Sequence, residues 1–121
     1  MIRAFAVALT LLALLPAAAH AAGPFQPVGL WRFFHTDGKP FLARLMPDQS
    51  ATTDFGQGEV GIWRWEGQRV RVYYTSGWDD VLYQKDGVFH KAGWAPGADH
   101  CGPPSNDAVA EHVSDDPAAK P

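Results

Sequence analysis

"GIWRWEGQRVRVYYTSGW", residues 61–78, contains three tryptophans, two tyrosines and three arginines within eighteen positions. Two runs of strand length flank the turn signal Glu66-Gly67, a pattern typical of a β-hairpin. Successive side chains of a strand leave opposite faces of the sheet, so Val70, Val72 and Tyr74 share one face. The alternation therefore predicts a hairpin whose second strand turns an apolar face to the core.

The same hairpin contains five candidate ligand-binding residues. Arg69, Arg71 and Tyr73 share the other face of the second strand, which the arginines mark as the face in contact with water. Trp63 and Trp65 share a face of the first strand. Because aromatic side chains combine a flat apolar surface with polar groups, the five residues are candidates for binding a protein or small ligand. The alternative is that the tryptophan pair belongs to the core and that Tyr73, beside the arginines, is the exposed element.

Turn signals recur along the mature part of the chain at intervals of about 8–12 residues, as in an all-β sandwich or barrel. The runs between them have the length of strands. We therefore predict an all-β fold, a small antiparallel barrel or sandwich of about seven hairpin-connected strands. The predicted strands are Val28–His35, Phe41–Met46, Ala51–Phe55, Val60–Glu66, Arg69–Thr75, Trp78–Lys85 and Val88–Trp94.

The N-terminal end has the order of a secretory signal peptide. Arg3 is followed by an apolar run and by small residues around Ala19-His20-Ala21. This order predicts that residues 1–21 are a signal peptide, cleaved after Ala21, and that the protein is periplasmic or secreted.

The C-terminal end changes in composition after Trp94. Gly and Pro residues predict an irregular segment, in which Ser105 or Asn106 could cap one short helix reaching Val113. Residues 22–113 are therefore predicted to form a single β domain, followed by a disordered tail over residues 114–121.

The composition limits the classes of partner. Ten Lys and Arg stand against thirteen Asp and Glu, a formal net charge of −3, whereas nucleic acids and anionic membranes call for clustered basic residues. We expect no nucleic-acid partner and no membrane span after cleavage. Cys101 is the single cysteine, so no internal disulfide can form. Its polar loop predicts partial exposure and, after air oxidation, a disulfide-linked dimer alongside monomer.

The chain has no evident catalytic constellation, and we predict a non-enzymatic protein without a cofactor. The adjacent carboxylates Asp79 and Asp80 leave opposite faces of one strand and cannot act as a catalytic pair. We expect one of them to close a turn or to pair with Arg64 or Arg71.

Two functional hypotheses remain. The first is an exported binding domain that recognises a protein or a small ligand through its aromatic and arginine surface. The alternative is a metal-binding or redox periplasmic protein that uses His100, Cys101 and His112, because these side chains are ligands for copper or zinc. Their spacing matches no established metal motif.

Gly29-Leu30-Trp31 opens the first predicted strand and is followed by short antiparallel strands. This G-x-W start resembles calycin-type barrels, the group of lipocalins, avidin-like proteins and small bacterial metalloprotease inhibitors. The resemblance implies that Trp31 packs across the closed end of a barrel and, for an inhibitor, that the arm Ala22–Pro27 enters a partner's cleft. The chain is short for a lipocalin with a deep cavity and lacks the inhibitors' cysteine pair.

Overall fold

The structure is a computed structural model that describes residues 23–121. The expected signal peptide, residues 1–21, lies outside these residues. The described part is all-β, as predicted, and every predicted strand is present with ends that differ by at most two residues. No helix within residues 23–121 is long and apolar enough to cross a bilayer. The strands are β1 Gly29–Phe34, β2 Pro40–Leu45, β3 Ser50–Thr53, β4 Glu59–Glu66, β5 Arg69–Tyr74, β6 Asp79–Lys85, β7 Val88–Trp94, β8 Asn106–Val109 and β9 Glu111–Ser114.

The strands form one antiparallel sheet in the order β8-β7-β6-β5-β4-β3-β2-β1-β9. β8 pairs with β7, and β9, which follows β8 almost directly in the chain, pairs with β1. Because one nearly continuous segment binds both the first and the seventh strand, the sheet is a nearly closed barrel. The predicted small antiparallel barrel is confirmed, with two strands more than expected.

The predicted short helix before Val113 is wrong, whereas the predicted irregular segment is confirmed over residues 95–105, which contain no helix or strand. Asn106–Val109 and Glu111–Ser114 are strands, and Ala110 between them donates its N–H to the carbonyl of Phe89 at 2.9 Å. A helix of two turns is marginal in water, whereas the edges of β1 and β7 offer unpaired backbone groups. Pairing across the barrel therefore overrides the weak helical signal.

The final residues contact the barrel as well. Nη1 of Arg44 donates to the carbonyl oxygens of Pro117 and Ala119, at 2.5 and 2.8 Å. The segment 114–121, predicted to be disordered, begins at the last residue of β9 and adds these two hydrogen bonds.

Inward-facing side chains fill the barrel. The register places Trp63 opposite Val72 and Trp65 opposite Val70, so the apolar face predicted for β5 lies inside. Each fully buried side chain of this kind stabilises the fold by about 1.5–3 kcal/mol. The core cluster comprises Trp31, Phe33, Phe41, Ala43, Leu45, Ala51, Trp63, Val70, Val72, Tyr74, Leu82 and Ala110.

The N-terminal arm, defined here as residues 23–27, covers one end of the barrel. Phe25 packs against Trp31, Trp65 and Phe89, with ring centroids 6.2, 5.1 and 5.2 Å away. Trp31 is fully buried, and its Nε1 donates to the carbonyl of Pro27 at 2.9 Å. The arm therefore docks on the chain's own barrel.

We expect a chain that ends at Pro104 to lose cooperative folding, because it lacks both strands that close the barrel. Urea unfolding followed by tryptophan fluorescence measures this. A chain that ends at Ser114 is the matched control. It keeps the closing strands and loses the bonds from Arg44 and the contact between His112 and Asp115, a cost of about 1–3 kcal/mol. Cooperative unfolding of the shorter chain with full-length stability would contradict the role of the closure.

Candidate functional site

The outer face of the hairpin formed by β4 and β5 exposes apolar side chains. Val60, Ile62 and Tyr73 are 55, 49 and 38% exposed, and Ile62 lies directly opposite Tyr73 in the register. The guanidinium carbon of Arg64 lies 5.5 Å from the centre of the Tyr73 ring, a cation–π contact. Val60, Ile62, Arg64 and Tyr73 together are called the outer patch below.

The structure divides the five predicted binding residues between the two sides of the sheet. Tyr73 and Arg69 are exposed on the outer face, whereas Trp63 and Trp65 point into the barrel. Trp63 is buried, and its Nε1 donates to a backbone carbonyl at 2.8 Å. Arg71 lies on the outer face but is buried. Only Tyr73 and Arg69 are therefore open to a partner on the same surface.

Sequence reasoning missed Val60 and Ile62 as surface residues. The alternation in β4 already places Ile62 and Arg64 opposite to the tryptophans, which is the signal that could have found them. Their exposure beside Tyr73 follows from the pairing of β4 with β5, a register that the sequence pattern alone does not give.

Arg71 was expected to face water, and this expectation is wrong. Its side chain lies 5.2 Å from the Trp94 ring, because Trp94 and the loop 95–105 cover this part of the outer face. Its guanidinium donates to both carboxylate oxygens of Glu66, at 2.9 and 3.0 Å, and to Asp79 at 2.8 Å. These bonds raise the pKa of Arg71 and lower the pKa of Glu66. The predicted pairing of one adjacent aspartate with Arg71 is confirmed for Asp79.

A polar cluster lies inside the barrel on β5, β6 and β7. Asp80 accepts a hydrogen bond from the Tyr74 hydroxyl at 3.1 Å and lies 3.6 Å from Nζ of Lys91. Lys91 donates to the side-chain oxygen of Asn106 at 2.9 Å. Burial raises the pKa of Asp80 to about 6 and lowers the pKa of Lys91, and the attraction between the two charges partly opposes both shifts.

Aromatic rings cover the polar cluster at its end of the barrel. His35 stacks on Phe55 with centroids 4.4 Å apart and meets Trp78 edge-on at 5.2 Å. The cavity beneath them, also lined by Glu59, has a volume of about 10 Å³, close to the space of a single water. Nε2 of His35 is buried and has no hydrogen-bond partner within residues 23–121. This cavity has no room for an organic ligand.

The alternative metal ligands bind different partners. Nδ1 of His100 lies 2.6 Å from Asp79, and Cys101 is exposed in the same loop. His112 lies on β9, where its ring meets Trp31 at 4.8 Å. In the part of the chain that the structure describes, no group of three or more His, Cys, Asp or Glu could hold a metal ion.

Comparison with protein-family models, curated proteins and solved structures finds no match for this chain.

Acidification tests the buried state of Asp80. Its pKa is raised from 3.8 to about 6, so the folded state binds this proton more tightly than the unfolded state. The free energy of unfolding, relative to an Asp80→Asn variant without this titration, should rise as the pH falls from about 6 to about 4, by on the order of 2–3 kcal/mol. Urea unfolding of both proteins across this pH range measures the difference.

Asp48→Asn is the control with the opposite sign. Hydrogen bonds from Ser50 lower the pKa of Asp48, so the stability that its charge contributes is present at neutral pH and is lost as the pH falls. The advantage of the wild type over Asp48→Asn should shrink on acidification. If the difference in free energy of unfolding between the wild type and Asp80→Asn stays constant or also falls on acidification, Asp80 is not a buried carboxyl with a raised pKa.

The exposure of Cys101 makes the predicted oxidised dimer testable. Air-oxidised protein should show a dimer band beside the monomer on non-reducing electrophoresis, and Cys101→Ser should abolish that band. A single monomer band with a thiol that reacts only after denaturation would contradict the prediction.

Proposed function

We propose that the mature protein is an exported, non-enzymatic binding domain that recognises another protein through the outer patch. The observation that supports this most directly is that Val60, Ile62 and Tyr73 are exposed next to one another. About half of the Val60 and Ile62 side chains is accessible to solvent. Single apolar side chains are common on protein surfaces, but adjacent ones beside polar residues are typical of interaction sites.

The filled interior favours the outer surface over the barrel as the place of binding. Carriers of small apolar ligands need an internal cavity of about 300 Å³ or more. Here Trp31, Phe33, Leu45, Val72 and Leu82 are fully buried within the barrel, and the cavity at the polar cluster measures about 10 Å³.

The charges at the outer patch indicate the chemistry of the partner. Arg64 forms no ion pair with any residue from 23 to 121 and lies on the Tyr73 ring. Arg69, at the end of the same face, lies 3.8 Å from a single carboxylate oxygen of Glu66. Tyrosine and arginine are the side chains enriched at the centres of protein interfaces. We therefore expect the partner to present apolar side chains flanked by carboxylates.

The experiment is affinity capture from the exported fraction of the source cells, followed by affinity measurement with the captured protein. Ile62→Asp and Arg64→Glu should each weaken binding about ten-fold or more, because each removes a central contact and the new charge opposes the partner's carboxylates. Raised salt should weaken wild-type binding as well.

Val88→Asp is the matched control, because Val88 on β7 is 45% exposed and lies outside the outer patch. It should bind like the wild type. Tyr73→Ala should lower binding while changing the free energy of unfolding by no more than about 1 kcal/mol, as expected of a surface side chain. The proposal fails if no captured protein distinguishes Ile62→Asp from Val88→Asp, or if Tyr73→Ala unfolds the domain.

A further inference from the structure

The N-terminal arm presents one aromatic ring to three aromatic rings of the barrel. Trp31 and Phe89 meet edge-on with centroids 4.8 Å apart, and the Trp65 ring lies 5.1 Å from the Phe25 ring. We call Trp31, Trp65 and Phe89 the aromatic box. Edge-on and tilted contacts at these distances are the arrangement that aromatic rings prefer.

The arm is held by this ring far more than by its backbone. Residues 23–27 make no backbone–backbone hydrogen bond within the described part of the chain, and Pro24 and Pro27 have no N–H to donate. The carbonyl of Pro27 accepts from the Trp31 indole at 2.9 Å. Apart from that bond, the arm is held by the side chains of Phe25 and of the buried Pro27. A segment without ladder hydrogen bonds can leave its seat at a lower free energy than a strand can.

A cleft of about 440 Å³ lies along the arm and is lined further by Pro47, Trp63 and Trp65. Gly23 lies so close to the indole of Trp65 that a β-carbon there would collide with the ring. The proline-flanked arm bends over residues 23–25 and crosses the indole with its phenyl ring inserted.

We propose that the aromatic box is a binding site for a phenylalanine side chain in a proline-flanked segment of a partner peptide, and that Phe25 occupies this site within the same chain. The arm shows which groups we expect in the partner peptide. These are a phenyl ring that inserts into the aromatic box and a backbone carbonyl that accepts from the Trp31 indole. The tethered arm competes with a partner peptide for the aromatic box at an effective concentration of roughly millimolar. A partner peptide therefore binds only after the arm has left the box. This site uses inward-facing residues and is independent of the outer patch.

The test uses the mature full-length Phe25→Ala variant and the blocked peptide acetyl-Gly-Pro-Phe-Gln-Pro-amide. The variant should melt at a lower temperature than the wild type, and the peptide should raise its melting temperature saturably. The matched peptide with Ala in place of Phe should bind with an affinity at least about ten-fold lower, because the buried phenyl ring is missing. The wild type should bind the Phe peptide at least about ten-fold more weakly than the variant does, because its own arm competes.

Gly23→Ala is the second variant and keeps Phe25. Its β-carbon collides with Trp65, so the arm docks less well, and the Phe peptide should bind more tightly than to the wild type. This variant tests the proposal even if Phe25→Ala does not fold.

Three results would overturn the proposal: equal binding of the Phe and Ala peptides, no saturable binding to either variant, or a concentration-dependent dimer of Gly23→Ala that ignores the peptide. The last result would assign the box to the arm of a second copy. Because Ile62→Asp leaves the box intact, failure here is distinguishable from failure of the outer patch.

Discussion

The fold depends on the pairing of one short segment with two strands that are distant in sequence. β8 and β9 supply backbone partners to β7 and β1, and Ala110 between them continues the ladder to Phe89. Without this pairing the hairpin meander would be an open sheet with two free edges and a half-covered core. Closure allows a chain with one cysteine to bury Trp31 and its neighbours without a disulfide.

Closure also explains how the barrel accommodates charge in its interior. Asp80 and Lys91 are almost fully buried, and burying either charge alone would destabilise the fold. Each charge is offset by the other and by one hydrogen bond, which Tyr74 donates to Asp80 and Lys91 donates to Asn106. Asn106 belongs to the closing segment, so the same residues that complete the sheet complete the polar cluster. Apolar side chains fill the remainder, and the two proposed sites accordingly lie outside the barrel and at its covered end.

The two proposed sites differ in how readily the sequence reveals them. Alternation within one strand predicts that Tyr73 and Arg69 lie on the outer face, and both side chains are exposed there. Arg71 obeys the same alternation, yet it is buried because Trp94 and a loop distant in sequence cover it. Alternation gives the face of a side chain, whereas exposure depends on what else packs on that face. The seat of Phe25 depends on three rings from three strands, which no local pattern joins.

The sequence by itself determined the strands from Gly29 to Trp94, the inward face of β5 and the antiparallel barrel or sandwich class, because turn residues and period-two alternation act over a few neighbouring residues. The tertiary structure decided that residues 106–114 are strands rather than a helix, that Asp80 faces Lys91, and that the arm docks on its own barrel. These features come from contacts between segments far apart in the chain, whose free energy outweighs local preferences of a few tenths of a kcal/mol per residue.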